Sequence, residues 1–160
     1  MNRWGILALV GALGGCATNP GVTGGVLPAH WESCKTVSEQ EISALFDRWA
    51  RSLQTGDPRE VVANYAAGSL LLPTMSNQPR YSAQAKEDYF RHFLHDGPAG
   101  RIDERRIELG CNTAVDSGLY TFTFAKTGAQ VKARYTYTYR WDGQQWLITS
   151  HHSSALPEKT

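Results

Sequence analysis

The segment Arg134–Trp141 alternates between aromatic and polar side chains along its length. A period of two is typical of a β-strand whose two faces differ in chemistry. Tyrosines therefore occupy one face, and Arg134 and two threonines occupy the other. Asp142-Gly143 follows as a hairpin turn, and Trp146 begins a second apolar strand. The sequence thus predicts two adjacent antiparallel strands with an aromatic face and a polar, cation-bearing face.

The start of the chain indicates export. Arg3 precedes an apolar run, residues 4–13, that is too short to span a bilayer and has the layout of a signal peptide. The run ends in Leu13-Gly14-Gly15-Cys16, which resembles the lipobox of bacterial lipoproteins. Residues 1–15 are therefore predicted to be a lipoprotein signal peptide, and Cys16 the lipidated residue. An ordinary secretory signal is the alternative. Ala17 after the cysteine favours, by resemblance, the outer membrane, with the protein facing the periplasm.

Lipidation of Cys16 would leave Cys34 and Cys111 as an even pair in an oxidising compartment. A disulfide between them is the expectation, and two free buried thiols are the alternative. Residues 16–36 contain a Gly-, Pro- and Thr-rich stretch and are predicted to be a flexible tether. One domain is expected over residues 37–157, followed by a short tail at 158–160.

The formal net charge of +1 and the lack of a basic run make nucleic acid an unlikely partner. The helical signals all lie in the first part of the domain. Ser38 and Glu41 form a capping box, Asp57-Pro58 starts a second helix after Gly56, and Ser82 caps a third. A brief strand is expected at 69–73. Four longer strands are expected near 101–110, 117–126, 130–141 and 145–154. Helices followed by a strand meander predict an α+β fold, in which a curved antiparallel sheet forms a cone around the helices.

The order of these elements, with Gly-Asp-Pro joining the first two helices, resembles the nuclear transport factor 2-like superfamily. Within it, Tyr89-Phe90 with Phe93-Leu94, and Trp146-Leu147 leading to residues 152–157, resemble the association (hub) domain of calcium/calmodulin-dependent protein kinase II. The resemblance implies an oligomerising domain with a polar pocket in each cone. It does not imply a kinase, because the sequence has no glycine-rich nucleotide loop, catalytic loop or Asp-Phe-Gly motif.

The resemblance also implies a pocket for small acids, with one cation fewer than in the family, because Ser153 stands where the family often has arginine. Arg134 is predicted to be the main cation of the cone, and His151 its hydrogen-bonding partner. His152, Ser153 and Arg80 are lesser candidates. His151 and His152 point to opposite faces of their strand, and the sequence leaves open which face lines the pocket. No cofactor and no metal are predicted, since helix-end histidines such as His92 complement the helix dipole without a metal.

Three functions remain open at this point. The first is a lipid-anchored, self-associating module that binds a small, anionic molecule. The second is an isomerase- or cyclase-type enzyme of the same superfamily, and the third is a structural envelope protein. Against the enzyme, Asp47, Asp57 and Glu60 fit helix-surface or cap positions rather than a pocket. At least a dimer is expected if the aromatic face is exposed, whereas packing of the aromatics beneath the helices would remove that argument.

Overall fold

The computed structural model describes residues 33–74 and 76–158. The predicted signal peptide, Cys16 and most of the predicted tether lie outside the described residues. The helices of the described part are α1 (Glu39–Leu53), α2 (Pro58–Val62) and α3 (Ala83–Phe93), with a 3₁₀ turn at Leu94–Asp96. The strands are β1 (Tyr65–Leu72), β2 (Pro98–Gly110), β3 (Thr113–Phe124), β4 (Gln130–Trp141) and β5 (Trp146–Ala155).

The helices begin where their capping residues predict. The Ser38 side chain accepts a hydrogen bond from the Glu41 amide, and the Glu41 carboxylate accepts one from the Ser38 amide at 2.8 Å. Asp57 caps α2, with Pro58 at its first position, and Ser82 caps α3. These short-range bonds satisfy amides that have no partner inside the helix. They fix the helix starts independently of the rest of the fold.

The five strands form one sheet in the order β1-β5-β4-β3-β2. The α+β class with a curved sheet is confirmed, but the sheet is mixed, because β1 pairs with β5 in parallel. β1 also starts at Tyr65, earlier than the expected strand at 69–73. Ala66, Ala67 and Gly68 have low strand propensity, and the pairing is irregular between Tyr65 and Leu70, which explains the weak sequence signal there.

A bulge in β2 interrupts its regular pairing with β3. The register between β2 and β3 shifts between Ile102 and Glu104, and Gly118 of β3 lies opposite Arg105. A side chain at Gly118 would collide with the Glu104 carbonyl, so only glycine permits this close approach. Bulges increase strand twist and bending. Together these two features provide part of the curvature that encloses the inner face.

The aromatic face of β4 is the inner face of the sheet. Tyr135, Tyr137 and Tyr139 are all buried, and the rings of Phe46 and Trp49 from α1 pack against Tyr137 with centroids 6.2 and 5.7 Å apart. The apolar side of α1 has to be covered by apolar surface, and the tyrosine face provides it. The argument for a dimer based on an exposed aromatic face therefore does not apply.

The expected disulfide joins Cys34 to Cys111 at the β2–β3 hairpin. The Lys35 amide donates to Asn112 Oδ1 at 2.7 Å beside it, and the Lys35 ammonium lies 4.9 Å from the centre of the Trp141 ring. These contacts attach the start of the domain to one end of the sheet. Among the described residues, no helix is long and apolar enough to cross a membrane.

Candidate functional site: a cavity on the inner face of the sheet

Five side chains form one row across the inner face of the sheet. Strand pairing aligns Leu71 of β1 with His151 of β5, and His151 with Tyr137 of β4. Tyr137 is in turn aligned with Asp116 of β3. An isolated bridge adds Arg80 beside Leu71, through backbone hydrogen bonds of 2.9 and 3.0 Å. Directly paired residues point to the same face, so these five residues share the inner face, and we call them the cross-sheet row.

A cavity of about 630 Å³ lies over the Arg80 and His151 side of this row. Its volume is in the range of sites that hold small organic molecules. Seven aromatic rings contribute to its wall, namely Trp49, Tyr89, Phe90, Phe93, Tyr120, Phe122 and Phe124. The polar side chains on its surface include Thr74, Ser76, Arg80, Asp88, His92, His151 and Ser153. The cavity therefore combines an apolar body with a small number of polar groups.

His151 lies at the inner end of the cavity and is only 4% exposed. Its ring stacks on Tyr137 with centroids 4.1 Å apart, and the Trp49 ring lies almost perpendicular to it with centroids 5.5 Å apart. His151 Nδ1 is 2.8 Å from the Tyr65 hydroxyl, which accepts a 3.2 Å hydrogen bond from Trp49 Nε1. Burial, and to a lesser degree the neighbouring His152, lowers the pKa of His151 to about 3. The imidazole is therefore neutral at physiological pH.

The His151 Nε2 atom is buried and has no hydrogen-bond partner among the described residues. Ser153, the next inward-facing residue of β5, differs in this respect. Its hydroxyl accepts a hydrogen bond from Tyr120 at 2.5 Å and is also bonded to Thr74. Burial raises the pKa of Tyr120 well above its usual value, so the phenol stays protonated and donates. The Ser153 hydroxyl is thus bonded within the protein, whereas one nitrogen of His151, a residue of the cavity wall, has no partner among the described residues.

Arg80 carries positive charge at the more open end of the cavity. It is half-buried, and its Nε atom has no partner among the described residues. Its terminal nitrogens make only long contacts, of 3.3 Å to Ser76 and 3.4 Å to Gln78. The charge acts on the cavity wall: burial raises the pKa of Tyr89 to about 12, and Arg80 opposes that rise. Such an incompletely paired guanidinium can bind a carboxylate through charge-assisted hydrogen bonds.

Asp88 also lies at the cavity surface, but its charge is already compensated. Arg91 donates to Asp88 Oδ1 at 2.8 Å, and Gln84 donates to the same oxygen at 3.0 Å. These hydrogen bonds lower the pKa of Asp88, the bond from Arg91 contributing most. Asp88 therefore leaves the positive charge of Arg80 available to a ligand.

The predicted position of Arg134 requires correction. Arg134 pairs with Ser154 across the sheet and is exposed on the outer face, and His152 pairs with Thr136 on that same face. His151 and Ser153 do line the cavity, but they share its face with tyrosines. The physical reason is the burial of the tyrosines beneath α1, which forces the alternate residues of β4 outward. Of the two arginines proposed from sequence, Arg80 is the one at the cavity.

A second polar cluster on the inner face was not identified from sequence. Asp116 is fully buried, accepts a 2.8 Å hydrogen bond from the Tyr135 hydroxyl, and lies 3.2 Å from Arg105. Burial raises the pKa of Asp116, and the contacts with Tyr135 and Arg105 oppose that rise. The predicted strand began at 117, and extending its alternation from Tyr120 back to Asp116 would have placed this carboxylate on the aromatic face.

The histidines of α3 and its 3₁₀ turn are engaged locally. His92 Nδ1 is 2.8 Å from the Asp88 carbonyl, and His95 Nδ1 is 3.0 Å from the Asp96 carboxylate. His95 Nε2 is also 3.2 Å from the Lys126 ammonium. The part of the chain that the structure describes contains no group of three or more His, Cys, Asp or Glu side chains arranged to hold a metal.

Comparison with known proteins agrees with this architecture. Residues 38–157 match the model of the calcium/calmodulin dependent protein kinase II association domain family, and the chain belongs to that family. It is similar to a solved structure from Xanthomonas campestris provisionally described as such an association domain, at 42% identity and a TM-score of 0.74, with 81% of this chain and 99% of that chain covered. No match was found among curated proteins.

More distant solved structures share the fold. A nuclear transport factor 2-like protein of unknown function from Pseudomonas putida has 18% identity and a TM-score of 0.67, covering 79% of this chain and 92% of that one. A protein from Streptomyces avermitilis, provisionally described as a dehydratase of that family, has 10% identity and a TM-score of 0.66, with 74% and 96% covered. At these identities the likeness establishes the nuclear transport factor 2-like fold.

Proposed function

We propose that this protein is a lipid-anchored, non-kinase association-domain module that self-associates and binds a small organic anion in its cavity. The observation that carries the binding proposal is the cavity of about 630 Å³, with an incompletely paired Arg80 at its open end. A carboxylate would find a cation there, and the aromatic wall would cover the apolar remainder of the molecule. Membership of the association domain family supports self-association.

A thermal-shift screen of small carboxylates tests the binding proposal, with Arg80→Ala and Arg134→Ala as a matched pair. Both variants remove one arginine, but only Arg80 borders the cavity, whereas Arg134 lies on the outer face. We expect Arg80→Ala to lose stabilisation by whichever carboxylate the screen finds, and Arg134→Ala to retain it. Equal stabilisation of both variants would contradict the role of Arg80.

The alternative of an isomerase- or cyclase-type enzyme is weaker. General acid-base catalysis works best with a group whose pKa is near the working pH. Burial instead lowers the pKa of His151 to about 3, which makes it a poor base near neutral pH. The buried carboxylate of Asp116 is bonded to Tyr135 and Arg105 and is not among the residues of the cavity wall. These features favour binding over proton transfer.

The proposed anchor is a lipid on Cys16, with the domain in the periplasm and the lipid in the outer membrane. It is supported by the resemblance of residues 13–16 to a lipobox. It also agrees with a disulfide that suits an oxidising compartment. Labelling with palmitate in a bacterium that expresses the full chain tests it. We expect the label on the wild type and its loss in Cys16→Ser. Cys34→Ser is the control, and labelling that persists in Cys16→Ser would contradict the anchor.

The proposed self-association uses the outer face of the sheet. Thr136 lies in the middle of that face, half-buried between Ser117 and His152. An arginine there would add charge beside Arg134 and obstruct the approach of a second copy. We expect light scattering to give at least a dimer for the wild type and a smaller mass for Thr136→Arg. Gln40→Arg, on an exposed position of α1, is the control. A monomeric mass for the wild type at all concentrations would refute the proposal.

A further inference from the structure

The inner end of the cavity has a defined hydrogen-bonding polarity, which follows from the side chains behind His151. Trp49 Nε1 can only donate, and it donates to the Tyr65 hydroxyl at 3.2 Å. The Tyr65 hydroxyl is also 2.8 Å from His151 Nδ1. If Tyr65 donates its own hydrogen to Nδ1, a chain of two hydrogen bonds runs from Trp49 to His151. The hydrogen of the imidazole is then on Nε2.

The opposite tautomer of His151 is less favourable. With hydrogen on Nδ1, the imidazole would donate to Tyr65, which already accepts from Trp49. The Tyr65 hydrogen and the His151 Nε2 lone pair would then both be buried without a partner among the described residues. The first tautomer leaves a single group unpaired, the Nε2 hydrogen. That group belongs to a residue of the cavity wall, whereas Tyr65 does not line the cavity.

The cross-sheet row sets the distance between this donor and the cation. Arg80 pairs with Leu71, and Leu71 pairs with His151, so two strand spacings separate Arg80 from His151. At about 4.8 Å for each spacing, their Cα atoms are roughly 10 Å apart. Leu71, which lies between them in the row, is apolar and is itself a residue of the cavity wall. The two polar groups are therefore separated along the row by an apolar residue.

We propose that His151 Nε2–H is a specificity-determining donor, and that the cavity selects a flat, apolar carboxylate that carries an uncharged oxygen acceptor at its far end. This inference rests on the proposed function, because it assigns the carboxylate to Arg80. It adds the class of ligand: an aryl or similarly flat acid with a ketone, ester or ether oxygen. A second carboxylate at the inner end would have to lose its hydration among aromatic rings. Arg80, the cation that would compensate its charge, lies two strand spacings away.

Tyr65 is a positioning residue in this arrangement, and NMR of the unliganded protein tests its role. Long-range ¹H–¹⁵N spectra distinguish the two histidine tautomers, and the His151→Gln variant identifies the signals of His151. We expect hydrogen on Nε2 in the wild type and a loss of that preference in Tyr65→Phe, which has no hydroxyl to donate. Hydrogen on Nδ1 in the wild type would overturn the inference, whatever the cavity binds.

Binding of two matched probes tests the ligand class. The probes are 3-(4-acetylphenyl)propanoate and 3-(4-ethylphenyl)propanoate, which share the acid and the ring and differ in the ketone oxygen. We expect the wild type to bind the ketone about tenfold more tightly, as one hydrogen bond provides. In His151→Phe, which keeps a flat ring, the two affinities should become equal. Ser153→Ala should keep the preference, because Ser153 is bonded to Tyr120 and Thr74.

The outcomes separate this inference from the proposed function. Equal affinities of the wild type for the two probes, both weakened about tenfold in Arg80→Ala, would overturn the donor role of His151 and retain the anion site. A tenfold preference that survives in His151→Phe would also overturn the donor role. Failure of both probes to bind would overturn the ligand class stated here. The screen of other carboxylates against Arg80→Ala would then decide separately whether the anion site exists.

Discussion

Tyr137 separates two polar regions on the inner face of one sheet, and they differ in how their charges are compensated and in whether they border the cavity. On one side, the Asp116 carboxylate is paired with Arg105 and accepts from Tyr135, both through Oδ1, while Oδ2 has no partner among the described residues. On the other side, His151 is a residue of the cavity wall with an unpartnered Nε2, and Arg80 makes only long contacts. The first, which we call the closed region, lies beneath α1, whose Phe46 ring lies 5.8 Å from the Arg105 guanidinium; Asp116 itself is fully buried and lines no cavity in the described part of the chain. The second is open to a cavity.

The contrast shows how buried polar groups divide between stability and binding. A buried carboxylate with a cation and a donor is already neutralised and has little to offer a ligand. A neutral imidazole with one nitrogen bonded and the other free keeps part of its bonding capacity for an occupant. We therefore expect changes near Asp116 to affect folding, and changes near Arg80 to affect binding.

The largest effect on folding is expected from the disulfide beside the closed region. Replacing Cys34 and Cys111 by serine opens a loop with a sequence separation of 77 residues. The chain-entropy relation gives a loss of about 4.5 kcal/mol in the free energy of unfolding. Urea denaturation of the double variant measures it. The carboxylate site should be unaffected in the folded protein, since neither cysteine is a residue of the cavity wall. Weakened binding would contradict the separation of the two regions.

The next largest effect is expected from Asp116→Ala. The change leaves the partly buried Arg105 without its counter-ion and Tyr135 without its acceptor. Removing one partner of such a pair typically costs about 3 kcal/mol or more. Chemical denaturation measures the loss, and Asp116→Asn should cost less, because its amide oxygen still accepts from Tyr135. If carboxylate binding fell with Asp116→Ala while the fold was retained, the two regions would be coupled.

The open region should give the protein a dependence on pH through His151. Its folded-state pKa is about 3, against an ordinary value of 6.5, so the unfolded chain takes up a proton that the folded chain does not. The contribution of His151 to stability therefore falls as the pH falls from about 6.5 toward 3. At pH 5 the loss of unfolding free energy amounts to about 2 kcal/mol. Unfolding measured at pH 7 and pH 5 should show this loss in the wild type and a much smaller one in His151→Gln. Identical losses in the two proteins would contradict it.

The smallest effect on folding is expected at Arg80. Arg80 is half-buried and incompletely paired, so Arg80→Ala should change the free energy of unfolding by about 0.5 kcal/mol or less. The same variant should weaken binding of a carboxylate about tenfold, or about 1.4 kcal/mol. Calorimetric titration gives the affinity, with Arg134→Ala as the unaffected control. A large loss of stability without a change in affinity would show that Arg80, like Asp116, contributes to folding rather than to binding.

Much of the fold was predictable from short-range patterns. The capping residues Ser38, Asp57 and Ser82 begin the helices as expected. The alternation of β4 produced the division into a tyrosine face and an Arg134 face. The disulfide between Cys34 and Cys111 followed from counting cysteines in a chain predicted to be exported. The caps and the alternation depend on residues close in sequence. For the disulfide, only two cysteines remain once Cys16 is set aside, so only one pairing is possible. The sequence alone could therefore predict these three features.

The site depended on relations that no local pattern contains. Alternation separated His151 from His152, but only the packing of the tyrosines beneath α1 decided that His151 faces inward and Arg134 outward. The parallel pairing of β1 with β5 placed Leu71 beside His151, and the bridge to Arg80 brought a loop cation into the same row. Asp116 became a buried acid only through the register of β3 against β4. Because a shift of one residue in any of these registers reverses the face of every side chain, the sequence determined the elements and their two faces, and only the tertiary structure decided which faces meet.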